Sequence, residues 1–382
     1  MRAHAVLSPS AAARWMSCTP SARMEEKMPD RETEFAKEGT LAHALAEAKV
    51  WERYGTGKPE DMDGLRREGL YAPEMEEHTD AYADYVHGLY AKHRETTPDA
   101  VLMTEQRLDF TKYIPDGFGT ADAVIVAEGM MEVVDFKYGK GVEVSAVENG
   151  QMMVYALGAL EKWDYLYPIE RVRMTIFQPR IGNVSEWEIT ATALRKWGEE
   201  ELKPKAAKAF KGEGEATPGG WCRFCKAKAV CRALADFCTA DIADGTPDAR
   251  LMGAEEVSKV LPKAEILKGW VSAVEEHALG LALGGTRVPG YKVVEGRSVR
   301  KYADEKAVVD KLFESGYGED TIYRPRELET ISAMERKLTK KVFAALLGGL
   351  VFKPQGKPTL VPESDKRPEL NTAVTDFEGI EV

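Results

Sequence analysis

The sequence predicts an α/β protein in which a mixed central β-sheet is flanked by helices. Two observations carry that expectation. Helical spacing fills most of the first hundred residues, and short β-rich runs then replace it before helical spacing returns. The 382 residues are enough for a sizeable core and for more than one domain.

Taken in order, "FAKEGTLAHALAEAKVWERYG" (35–55) reads as a helix whose second half opens at Gly39-Thr40. "PEMEEHTDAYADYVHGLYAKHRE" (73–95) reads as a second helix, with Tyr82, Tyr85 and Tyr90 as a core stripe. "AVLMTEQRLDF" (100–110), "GTADAVIVAEG" (119–129) and "MMEVVDFKYG" (130–139) are strands, the last two joined as a hairpin through a short turn at 127–129. A helix at 148–163 and a strand at 171–180 follow. The segment 190–212 is helical, kinked or divided by Pro204. A cysteine-rich stretch, "GGWCRFCKAKAVCRALADFC" (219–238), closes this part, and its run from Cys225 reads as helical.

Beyond residue 240 the pattern is a helical connector (243–285), a strand pair (290–302) and helices near 304–315 and 330–347. The expected organisation is therefore a domain at 1–240, a C-terminal α+β region at 241–360 and an extended tail at 361–382.

Composition narrows the class. Hydrophobic residues at 44% and charged residues at 30% fit a globular chain. No stretch approaches the roughly 20 apolar residues of a membrane span, and the N-terminus does not read as a signal peptide. A cytoplasmic location is expected, where thiols stay reduced. The net charge of −11 argues against a protein that coats nucleic acid. Between Arg195 and Asp236, however, ten Lys or Arg stand against six Asp or Glu, either a solvated helix face or a local track for phosphates.

Asp135 and Lys137 alternate on a predicted strand, so both point to one face while Phe136 points inward. The hairpin can bring Asp122, thirteen residues earlier, beside Asp135. Paired carboxylates repel unless a cation neutralises them, and oxygen or oxygen-plus-imidazole ligands suit Mg²⁺ or Mn²⁺. Such a cation lowers the pKa of water, and Lys137 can orient that water or neutralise a phosphate. An Asp-x-Lys tripeptide alone is equally an exposed ion pair. His43 and Glu47 project from one side of the first helix, as Gln151 and Tyr155 do from the helix after the hairpin. The ordered series is Gly-x3-His-x3-Glu, Gly-x2-Asp, Asp-x-Lys and Gln-x3-Tyr.

That series, over residues 7–238, resembles the RecB-like branch of the PD-(D/E)XK nuclease superfamily. The resemblance implies a restriction-endonuclease-like core and a Mg²⁺- or Mn²⁺-dependent DNA nuclease, an exonuclease on single-stranded DNA or DNA ends. It places the metal on His43, Asp122 and Asp135, gives Lys137 the nucleophilic water, and sets Gln151 and Tyr155 against the substrate. Ala121 stands where the superfamily name has Pro, and Asp135 replaces Glu. Glu47 supports its helix or joins the site. The alternatives are a non-catalytic DNA-end-binding subunit and a nuclease acting on RNA.

Cys222-x2-Cys225-x5-Cys231 has metal-ligand spacing, and three ligands leave one position open. On a continuous helix Cys238 would lie about 10.5 Å along the axis from Cys231, too far for one small centre. Cys18, at the end of a short N-terminal helix, has no other partner. A subset of RecB-like nucleases, the AddB type among them, carries a [4Fe-4S] cluster with one ligand before the core and three after it. The resemblance therefore implies a structural cluster on Cys18, Cys222, Cys225 and Cys231, with Zn²⁺ as the chemical alternative and Cys238 as a buried hydrophobe.

No P-loop is present, so any helicase activity must come from a separate helicase or recombination protein. The whole chain also resembles an uncharacterised family of phage and prophage proteins. That resemblance implies a phage- or prophage-encoded protein, acting in replication or recombination inside a bacterial host.

Overall fold

The computed structural model describes residues 5–29, 34–54, 62–243 and 253–294, with a few isolated residues beyond. The chain divides into two compact units, Met1–Val294 and Glu295–Val382. The boundary expected at residue 240 thus falls inside the first unit. The predicted helices near 304–315 and 330–347 and the tail lie outside the continuously described residues. Of the strand pair expected at 290–302, residues 290–294 carry no strand and the rest lie outside.

Short helices α1 (Ala12–Ser17) and α2 (Ser21–Glu25) precede α3 (Glu34–Tyr54), which is continuous through Gly39 and Thr40. After α4 (Met62–Leu65) comes α5 (Glu74–Thr96). The sheet then begins with β1 (Val101–Asp109), β2 (Phe118–Ala127) and β3 (Gly129–Phe136). Helix α6 (Gly150–Trp163) crosses over to β4 (Ile169–Gln178), and β5 (Asn183–Thr190) follows. The strand order is β1-β2-β3-β4-β5. All neighbours are antiparallel except β3 and β4, whose parallel pairing needs the α6 crossover.

The hairpin turn works as its sequence implies. Gly129 has φ +73°, a conformation open to glycine, and Val, Ile and Met side chains on both strands bury against the core. Strand β5 was not expected. Its alternation is weak because none of its residues is fully buried, so "NVSEWEIT" lacks a clear period of two.

Apolar side chains leave both sheet faces. Val124, Val126, Met131 and Val133 join α6 and the N-terminal segment in one cluster with Leu7, Trp15 and Leu157. Ile125, Val134 and Phe136 join α3 and α5 in the other, where Tyr82 and Tyr90 are buried and Tyr85 packs alongside. Each fully buried large side chain contributes about 1.5–3 kcal/mol.

Pro204 does not divide the next helix by itself. Helix α7 (Ala191–Trp197) passes through a wider π-type turn at Gly198–Leu202 and re-forms as α8 (Lys203–Lys211), with Pro204 in its first turn. The widening lies where Gly198 meets the core. A Cβ there would sit 2.8 Å from the Tyr113 ring and 2.9 Å from Leu157. The cysteine stretch is also not one helix. Cys222 lies in a 3-10 turn (Gly220–Phe224) and a second 3-10 turn spans Lys228–Val230. Only then does α9 (Arg232–Ala243) begin, followed by α10 (Ala254–Leu283). Among the described residues no helix is long and apolar enough to cross a membrane.

Candidate functional site

The hairpin register builds the site. The β2–β3 ladder ends its described pairs at Ala123–Val134, and one step further sets Asp122 opposite Asp135. The Asp122 Oδ2 atom accepts the Phe136 backbone N–H at 2.7 Å, which fixes that step. Burial of Phe136 against His43 and Tyr82 then anchors the strand end from which Lys137 projects.

Around these acids the chain gathers four further groups. Lys137 Nζ lies 2.9 Å from Asp135 Oδ2 and donates to the Gln151 Oε1 atom at 3.1 Å. Gln151 Nε2 donates in turn to Asp135 Oδ1 at 2.9 Å. His43 Nδ1 sits 3.3 Å from Asp122 Oδ1. Tyr155, one turn after Gln151 on α6, is buried beside it and shares a hydrogen bond with it. The Asn149 side chain accepts the Gln151 and Met152 backbone N–H groups, so the cap of α6 also sets the position of Gln151. His43, Asp122, Asp135, Lys137, Gln151 and Tyr155 therefore meet in one place. Glu47 accepts from Trp51 Nε1 and Thr104 Oγ1 at the edge of the site, where its charge also acts on Glu105.

The charges respond to one another. Burial opposes a positive His43, but the Asp122 carboxylate outweighs it and carries His43 up to about 9. Burial opposes ionisation of Asp122, yet His43, Lys137 and the Phe136 N–H hold it below the ordinary carboxylate range. Asp135 goes the other way: burial raises it, against the pull of Lys137 and with the push of Asp122. Lys137, despite its burial, is held above its usual value by Asp135 and Asp122. His43 and Lys137 are thus the positive charges of this site.

One residue was missed by sequence. Glu105 places a carboxylate oxygen so that it, a His43 nitrogen and an Asp122 oxygen all lie within 4.8 Å of one another. Glu105 is exposed at one side, and the partial loss of water around its carboxylate, with Asp122 and Glu47 nearby, pushes it up to about 7. Its place in the middle of a strand-like run gave no sign of this. A divalent cation fits the donor set, since carboxylates and an imidazole suit Mg²⁺ or Mn²⁺.

The cysteines form a separate place. Cys18 ends α1, and Cys18, Cys222, Cys225 and Cys231 line one pocket with Arg14. The N-terminal segment is tied there to the segment 210–226 by the chain itself. Arg23 Nε donates to Phe210 O at 2.6 Å, and the Lys226 backbone N–H donates to Glu25 Oε1 at 2.7 Å. Glu25 Oε2 pairs with Arg14 at 2.9 Å. Burial pushes the Cys18 and Cys222 thiols up, and carries Cys225 to about 11. Cys238 is buried in α9 and does not line the pocket. Among the described residues, no three cysteine sulfurs lie mutually within 4.8 Å. A single tetrahedral zinc, with Zn–S near 2.3 Å, needs them about 3.8 Å apart. Four thiols lining one pocket are a donor type that sulfur-liganded metal centres use.

The expected phosphate track fares differently. Arg195, Lys196, Lys203, Lys205 and Lys211 each pair with a neighbouring carboxylate, as a solvated helix face does.

The chain is similar to a solved protein described as the crystal structure of SSO0001, at 15% identity. The match covers 56% of this chain and 95% of that one, with a TM-score of 0.20, at which it carries no argument. A protein family matches residues 4–368, nearly the whole length. The chain belongs to that family, whose description is "Protein of unknown function (DUF2800)".

Proposed function

We propose that the protein is a Mg²⁺- or Mn²⁺-dependent DNA nuclease of the RecB-like type, acting on single-stranded DNA or DNA ends. One observation supports this most. Two strand-borne carboxylates, Asp122 and Asp135, share a rung with Lys137 at its edge and His43 and Gln151 against it. A fortuitous Asp-x-Lys ion pair does not require a second acid, an imidazole and an amide held by a capped helix.

When bound, the divalent cation supplies the positive charge that makes water a competent nucleophile near neutral pH. Asp122, Asp135 and His43, the last through a ring nitrogen once it has lost its extra proton, would hold that cation. Lys137 Nζ, kept protonated by the two acids, orients the water and offsets charge growing on the scissile phosphate. Gln151 fixes Lys137 and Asp135 against each other through its two amide atoms. Tyr155, packed beside Gln151, positions the strand.

The four pocket cysteines are proposed to hold a [4Fe-4S] cluster with a structural role. The resemblance to cluster-bearing RecB-like nucleases supports it, and zinc is the chemical alternative. Association with phage replication or recombination in a bacterial cytoplasm, and with a separate helicase, rests on resemblance alone.

The test is digestion of end-labelled linear DNA, circular DNA and RNA by purified protein with Mn²⁺, Mg²⁺ or EDTA. Metal-dependent loss of linear DNA is expected. If wild type and Asp135→Ala digest equally, the nuclease reading is wrong. Binding of DNA ends without cleavage would leave the end-binding alternative, and preference for RNA the other.

A further inference from the structure

We infer that Glu105 is a third carboxylate ligand of the cation beside His43 and Asp122, a role that rests on the metal-dependent reading above. In the β1–β2 ladder, Thr104 pairs with Ala123 and Gln106 with Ala121. Glu105 and Asp122 occupy the rung between them. The next rung step sets Asp122 opposite Asp135. Three acids therefore stand in one row across three adjacent strands. Like charges directly opposite each other destabilise a sheet, and in this row Lys137 pairs with Asp135 and His43 with Asp122, while Glu105 stands at the far end from Lys137.

The backbone at Glu105 is not that of a strand. Its φ is +44°, rare for a residue with a side chain. At this rung the apolar pattern changes sides on both strands. Leu102 and Ala123 belong to the α3–α5 cluster, whereas Leu108 and Ala121 belong to the α6 cluster. The kink brings the Glu105 carboxylate within reach of His43 and Asp122.

A second observation points independently to a ligand. The Tyr82 side chain is 3% exposed, and its hydroxyl has no hydrogen-bond partner among the described residues. That hydroxyl sits close enough to feel the charges of Asp122, Asp135, Glu105 and Glu47. A buried hydroxyl left without a partner near these carboxylates is a group that a hydrated cation would satisfy.

The experiment titrates Mn²⁺ into full-length wild type, Glu105→Gln and Glu105→Gly, counting free Mn²⁺ by its paramagnetic resonance. Both variants should bind Mn²⁺ at least about 10-fold more weakly. Without metal both should melt no lower than wild type, since a repelled charge is gone and glycine accepts the kink. A smaller loss of affinity in either folded variant overturns the inference. A measurement on wild type alone covers the case of misfolded variants. Carbodiimide labelling of Glu105, read by mass spectrometry, should be blocked by Mn²⁺ while exposed Glu148 labels as before; unblocked labelling overturns the inference.

DNA digestion assayed in parallel separates the two readings. Mn²⁺ held through Glu105 without cleavage fails the nuclease reading and leaves this one. Cleavage with undiminished Mn²⁺ affinity in Glu105→Gln does the reverse. Absence of Mn²⁺ binding to wild type overturns both.

Discussion

The carboxylate site and the cysteine pocket solve the same problem in opposite ways. Each gathers ligands from distant parts of the sequence. At the carboxylate site the chain supplies its own positive charges, Lys137 and a His43 held protonated up to about 9. Asp122 stays ionised against its burial while Asp135 and Glu105 are pushed up, and an arriving cation would displace protons rather than create order. In the pocket, burial keeps thiols protonated, Cys225 to about 11, and Arg14 is the cation that pulls Cys222 and Cys225 back. Thiolates there need the metal in order to exist. The cation proposed for the first site would exchange, and the cluster proposed for the second would stay.

The strongest way to break this contrast is to silence one site and watch the other. Lys137→Ala should lower Mn²⁺-dependent DNA digestion by about 10²–10³-fold. Its iron and sulfide content should equal that of wild type. If the cluster is lost as well, the two places are not independent.

Removing a pocket ligand is the converse. Cys225→Ser should abolish iron in anaerobically purified protein and lower the melting temperature by about 5–10 °C. Mn²⁺ affinity should stay within about 2-fold of wild type, because the sheet rung does not depend on the pocket. Retained iron at wild-type stoichiometry, or a colourless protein with one zinc, removes the cluster from the comparison.

The pH dependence sharpens it further. The folded pKa of Glu105 is raised to about 7 from an unfolded value near 4.5, so the metal-free protein binds the extra proton and loses stability between those values. His43, raised to about 9 from 6.5, contributes stability that is complete below 6.5 and fades through 9. Calorimetry should show metal-free stability declining by roughly 1–2 kcal/mol in all from pH 5 to 9, after solvent screening. Saturating Mn²⁺ should flatten or reverse the slope. A metal-free profile that rises across this window contradicts the charge balance described for the site.

The smallest effect concerns Cys238. Cys238→Ala should leave iron content unchanged and cost about 1 kcal/mol in denaturant unfolding. Loss of iron in this variant would make it a ligand.

Much of this was legible in sequence for a physical reason. A hairpin with a Glu-Gly turn fixes its own register, so Asp122 and Asp135 could be paired from spacing alone, and i, i+4 residues on capped helices share a face. Glu105 was not legible. Leu102, Thr104, Leu108 and Phe110 have the same parity, which on a regular strand means one face, yet the kink sends Leu102 and Leu108 to opposite clusters. The cysteine stretch misled in the other direction. Its Lys-Ala composition favours a helix, but the Cys222–Cys231 chain folds as 3-10 turns around the pocket. Helical spacing also could not show that a glycine contact would widen one turn before Pro204.

The ties between the first 26 residues and the segment 210–226 also give the protein a timetable. On a ribosome the N-terminal segment emerges first. Trp15 and Ala12 find the α6 side of the core once residue 163 is free. Arg23 and Glu25 must wait for Phe210 and Lys226, and Cys18 for the three cysteines beyond. A chain that stops early keeps its opening segment half-docked, with its polar groups still seeking partners. Emergence of residues 210–231 is thereby converted into resistance to proteolysis, and that segment acts as the latch for the first 26 residues.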